Sequence, residues 1–340
     1  MTRIYKHRLF WPVVALAALL LACTLKRPDI LGISVLDGHL FGAPIDILRN
    51  SAPLLLVSLG MTLVIATRGI DLSVGATVAI AGAVALTFIA GSHDPGSLGT
   101  ALGAVVVALG LCLVLGGFNG FLVSGLGIQP IIATLILMTA GRGVAMLITG
   151  GQITTVNSAP FAALASGFLL GLPVAALIAY GVFIVIALLV RRTALGMLLE
   201  AVGINPDASR LAGVKSKTLV FTVYTLCGAL AGLAGLIFAS NTMAADANNA
   251  GLFIELDAIL AVVIGGTSLA GGKFNLGGTL VGVLIITTLN LTVTVLGISP
   301  LVTPMFKAIV VIAVTLMMSP RLRGMLAGLR ERRRYQEVNA

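Results

Sequence analysis

Apolar positions along this chain come in long runs, punctuated by short clusters of Gly, Pro, Asn, Asp and Lys. A helix needs about 20 mostly apolar residues to cross a hydrocarbon layer ~30 Å thick. Ten runs meet that pattern, near 9–25, 51–67, 72–91, 99–123, 130–149, 173–190, 218–240, 255–270, 276–296 and 302–318, and they predict ten transmembrane helices. The second and third are the hardest to separate. Between them stands RGIDLSVG, Arg68 to Gly75, whose charged pair and two glycines break an otherwise continuous hydrophobic stretch.

Composition agrees with a lipid-solvated, all-α, polytopic chain. Of 340 residues, 58% are hydrophobic and only 10% charged, and the mean hydropathy is +1.12. Soluble domains carry roughly 25% charged residues, so too little charge is present to coat a water-facing surface. Disorder is excluded by the aliphatic content. Cys23, Cys112 and Cys227 each lie inside an apolar run and read as packing residues, with no disulfide framework or metal cluster spelled out.

The net charge of +9 matters through its placement, because cytoplasmic loops of membrane proteins hold the Lys and Arg excess. With the N-terminus inside, sixteen cations fall on the inner side: Arg3, Lys6, Arg8, Arg68, Arg191, Arg192, Arg210, Lys215, Lys217, Lys273 and six arginines from Arg321 to Arg334. Lys26, Arg27 and Arg49 fall outside; Arg142 and Lys307 lie within spans. Both termini are then cytoplasmic, and Asp29, Asp37, Asp46, Asp94 and Asp246 are external. The start also fits a signal peptide, and Leu20-Leu21-Ala22-Cys23 loosely resembles a lipoprotein cleavage box. The apolar run continues to Leu25 before Lys26-Arg27, which favours a retained first span.

Glycine occupies 41 positions. Small residues four apart let helix backbones approach closely in lipid, a spacing found at Gly116/Gly120, Gly228/Gly232 and Ala231/Gly235. Enzyme signatures are missing. The histidines His7, His39 and His93 lie in tails or external loops, so no HExxH helix exists. Ser73 in DLSVG has Asp71 where a nucleophile elbow needs glycine. GGTSLAGGKF, Gly265 to Phe274, lacks the phosphate-loop spacing, so ATP, if used, binds to another subunit.

The longest internal polar loop, 191–217, carries five cations and a short amphipathic stretch with Leu195, Leu198, Leu199 and Val202 at helical spacing. Gly203-Ile204-Asn205-Pro206 breaks it, and Asp207 to Leu211 can start another helical turn. Such a loop either lies on anionic headgroups or docks into a groove of a cytoplasmic partner.

Four ordered blocks then carry a resemblance: GMTLVIATRGIDLSVGA (Gly60–Ala76), IQPIIATLILMTAGRGVA (Ile128–Ala145), TALGMLLEAVGINPDASRLAGV (Thr193–Val214) and ELDAILAVVIGGTSLAGGKFNLGGTLVG (Glu255–Gly282). Over about residues 37–318 the chain resembles the permease subunits of ATP-binding-cassette importers of the ribose, galactose and galactofuranose class. Asp37–Pro53, Gly151–Pro160 and Ala245–Ile259 resemble the galactofuranose type most. The resemblance implies a single transmembrane permease domain over 1–340, with a coupling loop near 191–217 and a basic cytoplasmic tail at 319–340. It implies a bacterial inner-membrane location and three partners: a cytoplasmic ATPase, a periplasmic sugar-binding protein and a second permease subunit. Lipid surrounds the chain; no nucleic acid, metal or cofactor is implied. The family's Glu-Ala-x-Gly coupling segment falls on Glu200, Ala201, Gly203, Asn205, Ala208, Arg210 and Gly213. Arg68 stands where the family usually has glycine.

Pathway candidates follow from polar residues near or within spans, where a charge costs about 2.5–3.5 kcal/mol on insertion scales and needs a partner or water. Asp71 and Ser73 sit at the break between spans two and three, with Arg68 the expected ion-pair partner of Asp71. Arg142 lies inside the fifth span and either lines a wet path or pairs structurally, whereas Lys307 is expected to snorkel outward. Asp246, Asn248, Asn249, Glu255 and Asp257 cluster at the external side, able to read sugar hydroxyls, touch the binding protein, or cap helices. Asn119, Gln152, Asn241 and Asn290 are further candidates for the path or for interhelical hydrogen bonds. Ten spans, five to a half in opposite orientation, allow an inverted repeat. The rival class is an ion-coupled secondary carrier, which needs mid-membrane carboxylates; Asp71, Glu255 and Asp257 are expected nearer the span ends.

Overall fold

The computed structural model describes residues 10–36, 38–299 and 302–318. Arg3, Lys6, His7, Arg8, Asp37 and the basic tail 319–340 lie outside the described residues. Thirteen helices run through the described chain: α1 (Phe10–Lys26), α2 (Ala43–Ala66), α3 (Val74–Ala90), α4 (Leu98–Gly120, continued by a π-turn Phe121–Gly125), α5 (Pro130–Ile148), α6 (Ala159–Ser166), α7 (Val174–Arg192), α8 (Leu195–Ile204), α9 (Pro206–Leu211), α10 (Ser216–Thr242), α11 (Ile254–Ile264), α12 (Leu276–Val295) and α13 (Thr303–Met318). Each predicted span coincides with one of them.

Six helices, α2, α4, α5, α7, α10 and α12, are long and apolar enough to cross a membrane. Among the described residues, α1, α3 and α13 run 17, 17 and 16 residues, about a turn less. The eighth predicted span, 255–270, needs correction. Its helix, α11, has 11 residues, roughly 16 Å at 1.5 Å per residue, half a hydrocarbon core. It stops at Gly265-Gly266, where Gly266 adopts φ +86° and Gly265 sits against the backbone of Gly278. Non-helical chain follows α11 as far as Asn275. Such backbone is tolerated at membrane depth only where protein satisfies it, and Thr267 Oγ1 accepts the Asn275 N–H here.

Helix α2 is the core. Leu55, Leu56, Leu59, Met61 and Ile65 are fully buried on it, because α7, α10, α11 and α12 all pack around it. Partners repeat between halves: α10 packs on α3 and α4, as α2 packs on α11 and α12. The arrangement fits an inverted repeat of two five-span halves. Cys23 on α1 is buried, and its thiol shares a 3.2 Å hydrogen bond with Thr292 of α12. All three cysteines are free and buried, as expected of packing residues. Three short antiparallel strand pairs, not predicted from the sequence, lie in the loops: β1 (Ser34–Leu36) with β2 (His39–Phe41), β3 (Thr154–Thr155) with β6 (Ala244–Ala245), and β4 (Phe168–Leu169) with β5 (Leu172–Pro173). Outward-facing side chains on α4 and α5 are apolar, with Val106 69% and Leu147 82% exposed. Water would not tolerate so continuous an apolar surface; lipid does.

The predicted small-residue stripes are contact surfaces. A Cβ on Gly116 would strike the α10 backbone at Tyr224 and Gly228, and one on Gly228 would strike Cys112 and Gly116 of α4. Gly235 abuts Val78 and Ala81 of α3 in the same way. Gly228→Leu is therefore expected to lower thermal stability in detergent by about 1–3 kcal/mol through overpacking. Gly110→Leu, where an added Cβ meets nothing within 4 Å, is expected to leave the melting temperature unchanged.

Candidate functional site

Two ends of the bundle have different chemistry. One carries Arg68, Arg191, Arg192, Arg210, Lys215, Lys217 and Lys273 and is the basic end; the other carries Asp46, Asp94 and Asp246.

At the basic end α8 and α9 form a two-helix platform. Of the four apolar positions at helical spacing, Leu199 and Val202 are buried against the bundle, Leu198 is half-buried and Leu195 is exposed. Asn205 ends α8 and caps α9: its Oδ1 accepts the backbone N–H groups of Asp207 (3.1 Å) and Ala208 (3.0 Å), filling two of the donors that a helix start leaves open. Gly213 closes α9 with φ +88°, a left-handed turn that glycine takes without strain. Gly203 is buried against the carbonyl of Ala66, at the end of α2, and the amide of Gly272. The Gly272 N–H donates to Ala66 O at 2.9 Å. Three elements thus meet backbone to backbone: α2, α8 and the loop between α11 and α12.

Arg68 joins the same contact and corrects an expectation. It does not pair with Asp71; its guanidinium donates to the carbonyl of Ile204 on α8. Its backbone takes φ +65°, a left-handed conformation that costs a side-chain-bearing residue roughly 1–2 kcal/mol and glycine nothing. The turn therefore favours glycine, and this chain has arginine there with a bond to the platform. Of the seven coupling-loop candidates, Gly203, Asn205 and Gly213 shape the platform. Ala208 and Arg210 are exposed on it, and Glu200 and Ala201 half-exposed. Met197 (70% exposed), Ile204 (57%) and Leu211 (89%) add an apolar face that the sequence reading missed. Met197 and Ile204 fall just off the buried α8 stripe and Leu211 ends α9, where the hydrophobic pattern alone gives no sign of a second face.

Asp71, Ser73 and Asn119 make a second cluster. Ser73 donates its N–H (3.0 Å) and Oγ–H (2.6 Å) to Asp71 Oδ1, and Asn119 Nδ2 donates to Ser73 Oγ (2.8 Å). All three are buried. The neighbouring Gly69 lies against Tyr224 Oη, eight residues and roughly 12 Å along α10. The break between α2 and α3 is therefore recessed into the bundle. Asn119 Oδ1 and Tyr224 Oη have no hydrogen-bond partner among the described residues.

The segment 246–253 is the counterpart in the second half. Asp246 accepts the backbone N–H groups of Asn248 (3.0 Å) and Asn249 (3.2 Å) and the side-chain amide of Asn249 (2.7 Å). Donation from the Asn249 amide holds its carboxyl below the usual carboxylate range. The segment turns inward until Gly251 abuts Gly75 and Val78 of α3. Ile70-Asp71-Leu72-Ser73 precedes α3, and Ile254-Glu255-Leu256-Asp257 opens α11. Both short helices thus start inside the bundle with acidic side chains at their positive ends. Glu255 is buried, its carboxylate against Gly75. Asp71, just before α3, and Glu255, in the first turn of α11, lie at the ends of their helices as expected, and both are buried.

Arg142 staples that segment in place, donating to the carbonyls of Ala247 (3.0 Å) and Ala250 (2.6 Å), with Glu255 and Asp246 its electrostatic partners. Lys307 does not snorkel; its Nζ pairs with Asp257 Oδ2 at 2.7 Å. Asn241 accepts from Arg49 at 2.7 Å, an interhelical bond between α10 and α2. Gln152 is exposed in the loop after α5.

A cavity of about 490 Å³ opens between the outer parts of α2, α10, α11 and α12. Asn249, Asp257 and Asn290 line it, together with Asp46, Asn50, Thr287, Thr294 and Phe238, five residues the sequence reading did not nominate. Asp46 and Asn50 could have been found: they share a face with Arg49 on an α2 that starts eight residues before the apolar run. Asp71, Ser73, Asn119, Arg142, Asp246, Asn248 and Glu255 do not line the cavity.

These features define a multi-pass helical membrane protein with two recessed helix starts, a polar cavity at one end and the two-helix α8–α9 platform at the other. Residues 43–317 match the family described as the permease component of the branched-chain amino acid transport system, and the chain belongs to this family. It is 50% identical over 333 residues to the galactofuranose transporter permease protein YtfT of Escherichia coli (strain K12), covering 96% of each chain. It is 42% identical over 337 residues to the fructose import permease protein FruF of Bifidobacterium longum (strain NCC 2705), covering 97% of this chain and 93% of that one. Identity to the ribose import permease protein RbsC of Escherichia coli (strain K12) is 40% over 275 residues, or 80% of this chain and 84% of that one. No solved structure matches the chain.

Arg142→Met is expected to release the 243–253 segment. Thermal unfolding in detergent should register a loss of about 1.5–3 kcal/mol, the worth of hydrogen bonds from a charged group, and limited proteolysis should cut this segment faster. Arg142→Lys should recover part of the loss.

Proposed function

We propose that this chain is the membrane-spanning subunit of an ATP-driven importer of a monosaccharide, galactofuranose or a related hexose or pentose. The relatives' names and the ATP-binding-cassette resemblance support that class. The basic end faces the cytoplasm, as the Lys and Arg bias requires, which puts both termini and the coupling loop inside and the polar cavity outside, in the bacterial inner membrane. Residues 1–340 form one permease domain. A second permease subunit, identical or a paralogue, encloses the central pore with it. A periplasmic binding protein delivers the sugar to the outer face, and a separate ATPase docks on α8–α9.

One observation carries this reading: the elements that meet at Gly203 are those that reach the cavity. Helix α2 runs from Ala66 to Asp46, Asn50 and Leu54 at the cavity wall. The loop holding Gly271 and Gly272 joins α11, which presents Asp257, to α12, which presents Thr287, Asn290 and Thr294. A push on α8 by a nucleotide-driven partner is thereby transmitted through backbone contacts to three walls of the cavity. Tight packing at Gly203, Gly265 and Gly278 leaves no slack to absorb it. The cavity suits a sugar chemically: carboxylates, amides and hydroxyls match hydroxyls that both donate and accept, and Phe238 offers a ring face. At about 490 Å³ it lies within the range of about 300–1,000 Å³ usual for small-molecule sites. A secondary carrier driven by an ion gradient has no use for the apolar α8–α9 face, so that face favours the ATP-driven reading.

Glu200→Lys is expected to leave the protein in the membrane while abolishing co-purification with the ATPase and, with it, uptake. Unchanged co-purification and uptake would refute the coupling assignment. Asn290→Leu is expected to preserve co-purification but lower uptake about tenfold, the effect of ~1.4 kcal/mol on a sugar hydroxyl left unpaired. Competition among galactofuranose, galactopyranose and pentoses in the same uptake assay identifies the preferred sugar.

A further inference from the structure

Between the basic-end portions of α7 and α10, bounded by α8, lies a second hollow of about 560 Å³. Its walls are apolar: Ile186 and Val190 from α7, Leu198 from α8, Leu219 and Leu226 from α10. It is separate from the outer cavity and shares no lining residue with it. Lys215 lines its mouth, and Arg191 and Arg192, exposed at the end of α7, follow directly on Val190.

Length and charge together select the occupant. From Lys215 to Leu226 the α10 chain rises eleven residues, roughly 16 Å, about the thickness of one hydrocarbon leaflet. The groove therefore starts at headgroup level and runs inward along the membrane normal. The 191–217 loop that supplies Lys215 holds five cations in all, Arg191, Arg192, Arg210, Lys215 and Lys217, against two acids, Glu200 and Asp207. A soluble partner cannot reach such a depth. A zwitterionic lipid also fills the groove and offers a phosphate, but its own ammonium offsets that charge, whereas an anionic lipid adds a net attraction to the basic rim.

We propose that this groove seats an acyl chain of an anionic phospholipid of the cytoplasmic leaflet, with its phosphate held by Lys215 and the Arg191-Arg192 pair. The leaflet assignment rests on the orientation given above; the binding site itself does not. Because Leu195, Leu198 and Leu199 of α8 line the groove, a bound chain packs against the platform helix and holds it on the bundle. Lipid composition then tunes how firmly the ATPase docking surface is braced.

The test uses the full-length permease in phosphatidylcholine nanodiscs and in phosphatidylcholine–phosphatidylglycerol mixtures, with no ATPase or sugar present, so its outcome is independent of the transport reading. Native mass spectrometry should find phosphatidylglycerol retained in preference to phosphatidylcholine, and hydrogen exchange across 194–204 should be slower in the mixed lipid. Lys215→Glu, a change at an exposed residue, should weaken phosphatidylglycerol retention about fivefold, the effect expected of one basic side chain at a charged headgroup. Thr222→Trp, which fills the groove without altering charge, should abolish preferential retention. Equal retention of both lipids by the wild type would overturn the proposal, as would retention that survives both variants. Slowing of 194–204 that follows protein concentration rather than lipid would also overturn it and would assign the groove to a second copy of the chain.

Discussion

The contact on which this structure depends has no side chain in it. Gly203 of the platform lies directly on the carbonyl of Ala66, and that carbonyl accepts the amide of Gly272. Any Cβ at Gly203 would collide with both neighbours. In lipid, where apolar surface gains little by leaving one apolar neighbour for another, close backbone approach is what fixes helix position. Here it ties the platform to α2, the most buried helix, and to the loop that supports α11 and α12. Arg68 adds its bond to Ile204 at the same place.

The two halves use one device for different ends. Each contains a long helix, a recessed break and a short helix that starts inside the bundle with acidic residues at its positive end. In the first half the acid is sealed: Asp71 takes its hydrogen bonds from Ser73, and Asn119 closes the group. In the second the acids divide. Glu255 faces inward to Gly75 and the field of Arg142, while Asp257 faces the cavity and Lys307. Burying an ionisable group without a counter-charge is costly in a membrane, so Asp71 is closed in by hydrogen bonds and Asp257 is held by the Lys307 ammonium.

Hydrophobic runs, the Lys and Arg bias and the small-residue spacing are local properties of the chain, and they were enough to place ten helices, to find the α8–α9 loop and to mark Gly116, Gly228 and Gly235 as helix contacts. The same reading erred where polarity was judged along the chain alone. Arg68 and Asp71, three residues apart, looked like an ion pair, but the left-handed turn at Arg68 sends its side chain to Ile204. Lys307 looked free to snorkel because its partner, Asp257, is 50 residues away in sequence. The eighth span looked continuous because Gly265-Gly266 break a helix without being polar.

Sequence by itself therefore determined the membrane class and the family resemblance, since each follows from residue type and short-range order. Only the tertiary structure decided which polar residues share a surface. A buried polar side chain must find partners wherever the packed chain puts them, and several lie far off in sequence: the Asn119 amide of α4 donates to Ser73, Arg142 donates to the carbonyls of Ala247 and Ala250, and Lys307 of α13 pairs with Asp257. The cavity likewise collects Asp46, Phe238, Asp257 and Asn290 from four separate helices, because a wall at membrane depth is built from whichever helix faces turn toward it.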